Sequence, residues 1–250
     1  MSLKNPFPLL SGNLLKLIAI VTMTFDHYAA VFHPGVSWMR IPGRIAFPIF
    51  AFLVAEGFRY TKNRLRYLLV MGAFAAVSHM AVLWISRGSW TSILATFTAS
   101  IGLLFLLEHA KRCALAQGVP LIVRLLAPLP LLLAITVLYF DRTLAPLFDY
   151  GFFGVLLPVF ASLFHMPRDV DCPERLKCLD ILPVHLLTFG LGLLLCNAQF
   201  GGTQEYAILA LVPLLLYSGK RGRWRTKYLF YIYYPVHILL LEGISLLFFK

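Results

Sequence analysis

The sequence predicts an all-α fold, a polytopic transmembrane helical bundle of about nine spans (eight to ten) with its N-terminus in the cytoplasm. Three observations carry this: the composition, a ladder of apolar runs, and the placing of basic residues in alternate loops. Of the 250 residues 60% are hydrophobic and only 13% charged, with a mean hydropathy of +0.80. A water-soluble domain holds about 45–50% apolar and about 25% charged residues. The chain is therefore built for lipid, and its length suits one bundle (residues 1–250) rather than several domains.

Taken in order, the apolar runs lie near residues 14–33, 43–58, 67–86, 91–108, 119–139, 147–165, 180–197, 205–218 and 228–249. A spanning helix needs about 20 residues, so the second and eighth runs read as tilted, broken or re-entrant. Pro48, Pro128, Pro130, Pro158, Pro213 and Pro235 predict kinks where neighbouring groups re-satisfy the freed backbone. The start "MSLKNPFPLLSGNLLKL" has no basic stretch and no small-residue cleavage site after it, so the first run is expected to stay as a span.

The basic residues orient these runs. They collect after the second run (Arg59, Lys62, Arg64, Arg66), after the fourth (Lys111, Arg112, Arg124) and after the sixth (Arg168, Arg175, Lys177). A further group follows the eighth run (Lys220, Arg221, Arg223, Arg225, Lys227), and Lys4 and Lys16 lie near the start. Only Arg40, Arg44, Arg87, Arg142 and Lys250, of 22 basic residues, are left for the other face. Such alternation gives a cytoplasmic N-terminus and an odd number of spans. It also accounts for the excess of 22 basic over 11 acidic residues without a nucleic-acid partner. Cys113, Cys172, Cys178 and Cys196 follow no disulfide or zinc spacing and read as free thiols; no metal site is expected.

Against this background the polar residues inside the runs stand out. A charge at the middle of a spanning helix costs about 2.5–3.5 kcal/mol on insertion scales. The first run nevertheless holds Lys16, Asp26 and His27, the mouth of the second Arg40 and Arg44, the sixth begins at Asp149, and the ninth holds His237 and Glu242. His27 is 11 residues beyond Lys16, about 16 Å at the α-helical rise, and His237 is ten residues beyond Lys227, about 15 Å. The two imidazoles therefore share a depth, and Arg44 and Asp149 fall in the same outer half. His27, Asp26, His237, Arg44 and Asp149 are expected to converge on one intramembrane cavity. Adjacent Asp26 and His27 point about 100° apart on a helix, so another group can orient the imidazole.

The plainer readings are these. His79 and His185 each tie two helices together, Arg44 is glue for Asp26 or Asp149, Glu56 pairs with Arg59, and His33 sits in water at the outer interface. The aromatic residues Tyr228, Phe230, Tyr231, Tyr233 and Tyr234 form an interfacial belt. No nucleophile elbow, phosphate-cradling glycine loop or metal-spaced cluster is present, which argues against serine hydrolases, P-loop enzymes and zinc proteases. A histidine set among carboxylates is a candidate general base.

The stretches "LKLIAIVTMTFDH", "GRIAFPIFAFLVAEGFRYTKNRLRYLL", "TFTASIGLLFLL", "FDYGFFGVLLPVF", "LALVPLLLYSGKRG" and "KYLFYIYYPVHILLL" resemble the TraX family over nearly the whole chain. These are multi-pass inner-membrane proteins whose named member acetylates the N-terminus of conjugative pilin. The polysaccharide-modifying membrane acyltransferases are more distantly similar: their first span carries an Arg, ten residues, then a His, where this chain has Lys16 and His27. A lysosomal heparan-type acetyltransferase, which also uses a histidine within the membrane, is similar in style.

The resemblance implies a bacterial inner-membrane acetyltransferase that uses acetyl-CoA as co-substrate. On that reading Lys16, Arg64, Arg66, Lys220 and Arg221 meet the CoA phosphates, and His27 deprotonates the acceptor. Arg44 or His237 stabilises the oxyanion, and Asp149, Tyr150 and Tyr234 touch the acceptor. The acceptor is a pilin-like amine or an envelope glycan, and transfer is either direct or through an acetyl-histidine. Two other classes stay open: a transporter with a buried proton or anion site, although no internal repeat supports it, and a non-catalytic pilus assembly factor.

Overall fold

The computed structural model describes residues 8–33, 35–86, 92–141, 143–223 and 229–248. Lys4, Arg87, Arg142, Arg225, Lys227, Tyr228 and Lys250 lie outside them. The described residues form helices with no strand. Among the described residues six segments are long and apolar enough to cross a membrane: Gly12–Phe32, Ser37–Tyr60, Ile93–Leu115, Leu121–Phe140, Leu182–Phe200 and Leu229–Leu247. The polytopic helical fold expected from composition is what the structure has.

Helix α1 (Gly12–Phe32) starts on Ser11, whose hydroxyl accepts from the Leu14 N–H at 3.3 Å, satisfying one of the first turn's unpaired donors. Two 3₁₀ turns, Ser37–Arg40 and Pro42–Ile45, lead into α2 (Ala46–Tyr60), the most enclosed helix of the bundle. It is apolar all round and packs on α1, α4 and α7, so residues on every side of it are buried. Helix α3 (Arg64–Ser86) packs on α4 (Ile93–Leu115), which also meets α7.

The expected span at 119–139 is two pieces, α5 (Leu121–Leu126) and α6 (Leu129–Phe140), parted at Pro128 because proline cannot donate into the helix. Both lie on the rim beside α4, and most of their leucines face outward. The run at 147–165 contracts to α7 (Gly151–Ser162), which packs tightly on α9 (Leu182–Phe200). Between them lies the short α8 (Glu174–Lys177). The eighth run, expected at 205–218, departs furthest: it is 3₁₀ over Gly202–Ala210 and α-helical only in α10 (Leu211–Leu215). At about 2.0 Å per residue, 3₁₀ structure stretches this short run further than an α-helix would. Helix α11 (Leu229–Phe248) closes the bundle against α1 and α3.

The N-terminal residues are tied to the loop after α10. Leu10 bridges Tyr217, and the N–H groups of Gly12 and Asn13 donate to the carbonyls of Lys220 and Arg221 at 2.8 and 2.9 Å. Lys16 therefore lies at the same end as the basic loops.

Candidate functional site

Two polar clusters occupy opposite ends of the apolar core. The first is at the end away from the basic loops and holds the histidines that the sequence singled out. His27 Nδ1 and His237 Nε2 are 2.6 Å apart, with the rings within 4° of parallel. His237 Nδ1 lies 2.8 Å from the backbone carbonyl of Tyr233, four residues back on α11. A carbonyl only accepts, so His237 carries its proton on Nδ1. Its Nε2 then accepts from His27 Nδ1–H, and the His27 lone pair falls on Nε2. The Tyr233 ring stacks on His237 with centroids 4.9 Å apart, and the Tyr233 hydroxyl bonds Thr24 on α1 at 2.6 Å. The pairing of the opening and closing spans follows from equal depth, as helix rise predicts.

Asp26 does not face this pair. Arg44 Nη2 donates to both of its oxygens at 2.7 and 3.0 Å, and Arg40 Nε donates to Oδ1 at 3.0 Å. The other nitrogens of Arg44 reach Gln204 Oε1 at 3.1 Å and the Arg40 carbonyl at 3.4 Å. All three nitrogens of Arg44 are thus engaged in holding α1 to the two 3₁₀ segments, which matches the reading of Arg44 as glue for Asp26. Gly43 makes this fit possible, since a Cβ there would stand 2.1 Å from Asp26 Cβ. Gln204 was missed in the sequence, where an amide in a weakly apolar run gives no signal.

Asp149 and Tyr150 lie at the start of α7. Thr96 on α4 donates to the Asp149 carbonyl at 2.9 Å, and the Asp149 carboxylate accepts from the Tyr150 N–H at 3.1 Å. Tyr150 is the one described non-glycine residue with positive φ (61°), a left-handed conformation held by its ring, which stacks on Phe47 at 3.8 Å. The Tyr234 hydroxyl accepts from the Ile93 N–H at 3.2 Å and so caps α4. Phe230, Tyr231 and Tyr234 are 4–8% exposed, which overturns the interfacial belt. These rings pack inward because α11 lays this side on α1 and α3.

At the basic end a cavity of about 410 Å³ is lined by Lys16, Arg221, Asn13, Glu56, Tyr60 and Tyr67, among others. Phe50, Met71, Phe230 and Tyr231 also line it, and the Phe50 and Phe230 rings meet at 4.0 Å. Of the residues expected to meet CoA, Lys16 and Arg221 are on this cavity and Lys220 is exposed next to Arg221. Arg64 and Arg66 are not on it. Arg64 pairs with Glu108 at 3.0 Å and lies over the Phe58 ring, while Arg66 is exposed at the start of α3.

The second polar cluster, beside this cavity, was not legible in the sequence. Arg59 pairs with Asp180 at 2.7 Å rather than with Glu56, which faces His165 Nε2 at 3.5 Å and accepts from the Tyr217 hydroxyl at 3.3 Å. His185 Nε2 lies 3.0 Å from Asp180 Oδ1, and the His165 and His185 rings are 4.1 Å apart. Burial, then the neighbouring His185 and Arg59, hold His165 well below the usual imidazole range. Burial pushes Asp180 up, but its bond to His185 and the charge of Arg59 outweigh this and keep it below the usual carboxylate range. All four cysteines are free thiols.

No solved structure matches this chain. A Dichelobacter nodosus protein named "Probable fimbrial assembly protein FimC, serogroup H1" is 30% identical over 252 residues, covering 91% of this chain and 92% of that protein. A Rickettsia prowazekii (strain Madrid E) protein, "Uncharacterized protein RP591", is 40% identical over 57 residues, 23% of each chain. The family model described as "TraX protein" matches residues 11–245. With a match of that extent, and with the paired histidines inside it, the chain belongs to the TraX family.

Proposed function

We propose that the chain is an inner-membrane acetyltransferase that moves an acetyl group from cytosolic acetyl-CoA to an amine at the far side of the bundle. The acceptor is a pilin-like N-terminus or another envelope amine. The observation that carries this reading is the directed chain from the Tyr233 carbonyl through His237 to His27, which fixes two imidazoles from the opening and closing helices against each other in an apolar bundle. A half-buried histidine with its tautomer fixed by a second group is suited to take a proton.

In the reaction the amine attacks the thioester carbonyl, and the N–H proton passes to His27 Nε2. The tetrahedral oxyanion collapses with loss of the CoA thiolate, which is reprotonated, so acetyl-CoA and amine give amide and CoA. With Arg44 engaged by Asp26, Gln204 and Arg40, the oxyanion is left to donors other than its guanidinium. Lys16 and Arg221 supply positive charge for the phosphates at the mouth of the basic cavity. His237 lies six residues beyond Tyr231, about 9 Å along α11, and the Phe50–Phe230 contact must part for a thioester to reach the histidines.

His27→Ala is expected to lower acetyl transfer by about 10²–10⁴-fold while membrane insertion is unchanged. The assay is mass spectrometry of envelope proteins for the gain of one acetyl group, with purified protein and labelled acetyl-CoA beside it. The name of the D. nodosus relative favours a second reading, a non-catalytic factor in fimbrial assembly. A folded His27→Ala protein that still supports assembly, together with wild-type protein that binds no acetyl-CoA, would decide for that second reading.

A further inference from the structure

We propose that His165, His185 and Asp180 bind a divalent transition-metal ion, Zn²⁺ by the chemistry of the ligand set, and that the ion ties the loop after α7 to the start of α9 at the basic end. The three residues can each present one ligating atom with all three atoms within 4.8 Å of one another. Two imidazoles and one carboxylate are a set that zinc accepts, leaving a position for a fourth ligand. Ligands on a tetrahedral zinc stand about 3.3 Å apart for bonds of about 2.0–2.1 Å, so a small rotation of one ring closes the site.

A second observation points to a ligand. His165 and His185 are 6% and 4% exposed, yet His165 Nε2 and His185 Nδ1 are buried with no hydrogen-bond partner. Buried imidazole nitrogens are normally paired. His165 Nε2 in particular offers a buried, unbonded nitrogen next to the Asp180–His185 pair, with the two imidazole rings 4.1 Å apart.

The surrounding cations are placed so as not to block the ion. Arg59 holds Asp180 through Oδ2, as does the Met166 N–H at 3.2 Å, leaving Oδ1 turned toward His185. Lys111 spends its ammonium on the carbonyls of Ser162 and His165. These contacts fix the orientation of the residues that would ligate the ion. Glu56 Oε1, 3.5 Å from His165 Nε2, adds a second negative charge and a candidate fourth ligand. The site stands apart from the histidine pair of the proposed transfer reaction and does not depend on that reading.

The test uses the full chain purified in detergent. After loading with Zn²⁺ and dialysis, wild-type protein is expected to retain about one equivalent by elemental mass spectrometry, with His165→Gln and His185→Gln at background. Wild-type protein at background, or both variants keeping the full equivalent, overturns the proposal. Since either variant can fail to fold, Co²⁺ titration of the wild-type chain gives an independent readout. Visible ligand-field bands of a four- or five-coordinate ion, without a sulfur-to-cobalt charge-transfer band, support the site. Absent bands, or a thiolate band that implicates the cysteines, overturn it.

Discussion

His27 matters less for being a histidine in lipid than for which of its nitrogens holds the proton. The Tyr233 carbonyl at 2.8 Å from His237 Nδ1 sets the direction of the whole chain, so both rings are expected as the Nδ1–H tautomer. Nitrogen-15 imidazole shifts on labelled protein check this; a proton on His27 Nε2 would reverse the chain and remove the base. Asp26 shows a different logic, because its neighbours are two arginines and not the imidazole beside it in sequence. Its approach to the 3₁₀ turn is set by Gly43, where a methyl group would overlap Asp26 Cβ at 2.1 Å. Gly43→Ala is therefore expected to cost about 1–3 kcal/mol or more, as overpacking does, read as a lower midpoint of thermal unfolding in detergent. Asp26→Asn leaves the largely buried Arg44 guanidinium without its carboxylate, and breaking such a buried pair costs about 3–5 kcal/mol.

Helix ends and helix pitch are where a sequence reading and this bundle part company. Apolar runs give the existence of α1, α4, α9 and α11 directly, since spans of 19–23 residues saturate the signal. They do not give pitch: Gly202–Ala210 is 3₁₀ and brings Gln204 to Arg44, and hydropathy is blind to both. Nor do they give facing. The aromatic stretch of α11 has the composition of an interfacial belt, yet Tyr231 and Tyr234 are core residues whose orientation depends on the helices that arrive beside them. Equal depth of His27 and His237 was legible because it needs only a count of residues and a rise. The Asp180–His185–His165 cluster was not, because it joins the loop after α7 to the loop and helix start of α9, which only tertiary packing brings together. Tyr234 gives an element-scale test. Its hydroxyl caps the Ile93 N–H at the start of α4, so Tyr234→Phe is expected to lower stability by about 0.5–1.5 kcal/mol. Unfolding in detergent measures that loss, and a large change in acceptor affinity with unchanged stability would assign Tyr234 to the acceptor instead.

Across the whole molecule, the basic cavity proposed for acetyl-CoA and the histidine pair proposed as base stand at opposite ends of the core, and that separation makes the proposed reaction separable by kinetics. Lys16 lines the basic cavity, and His27 is 11 residues further along the same helix, about 16 Å away. In the proposed reaction Lys16 and Arg221 meet a phosphate group distant from the bond that changes, so their loss should weaken ground state and transition state alike. Replacing either with Ala removes a charged contact worth about 1.5–3 kcal/mol, and KM for acetyl-CoA should rise about 10-fold or more with kcat nearly unchanged. His27→Ala acts on the transferring proton alone, so kcat should fall while KM for acetyl-CoA stays within about threefold. Phe230→Ala removes a ring that lines the cavity against Phe50; if the thioester passes there, it should change kcat through access to the histidines more than KM. Steady-state kinetics on the three variants in proteoliposomes read all of this at once. If Lys16→Ala and Arg221→Ala left KM untouched while His27→Ala still abolished turnover, the histidine pair would keep its role and the donor would have to enter elsewhere than the cavity at the basic end.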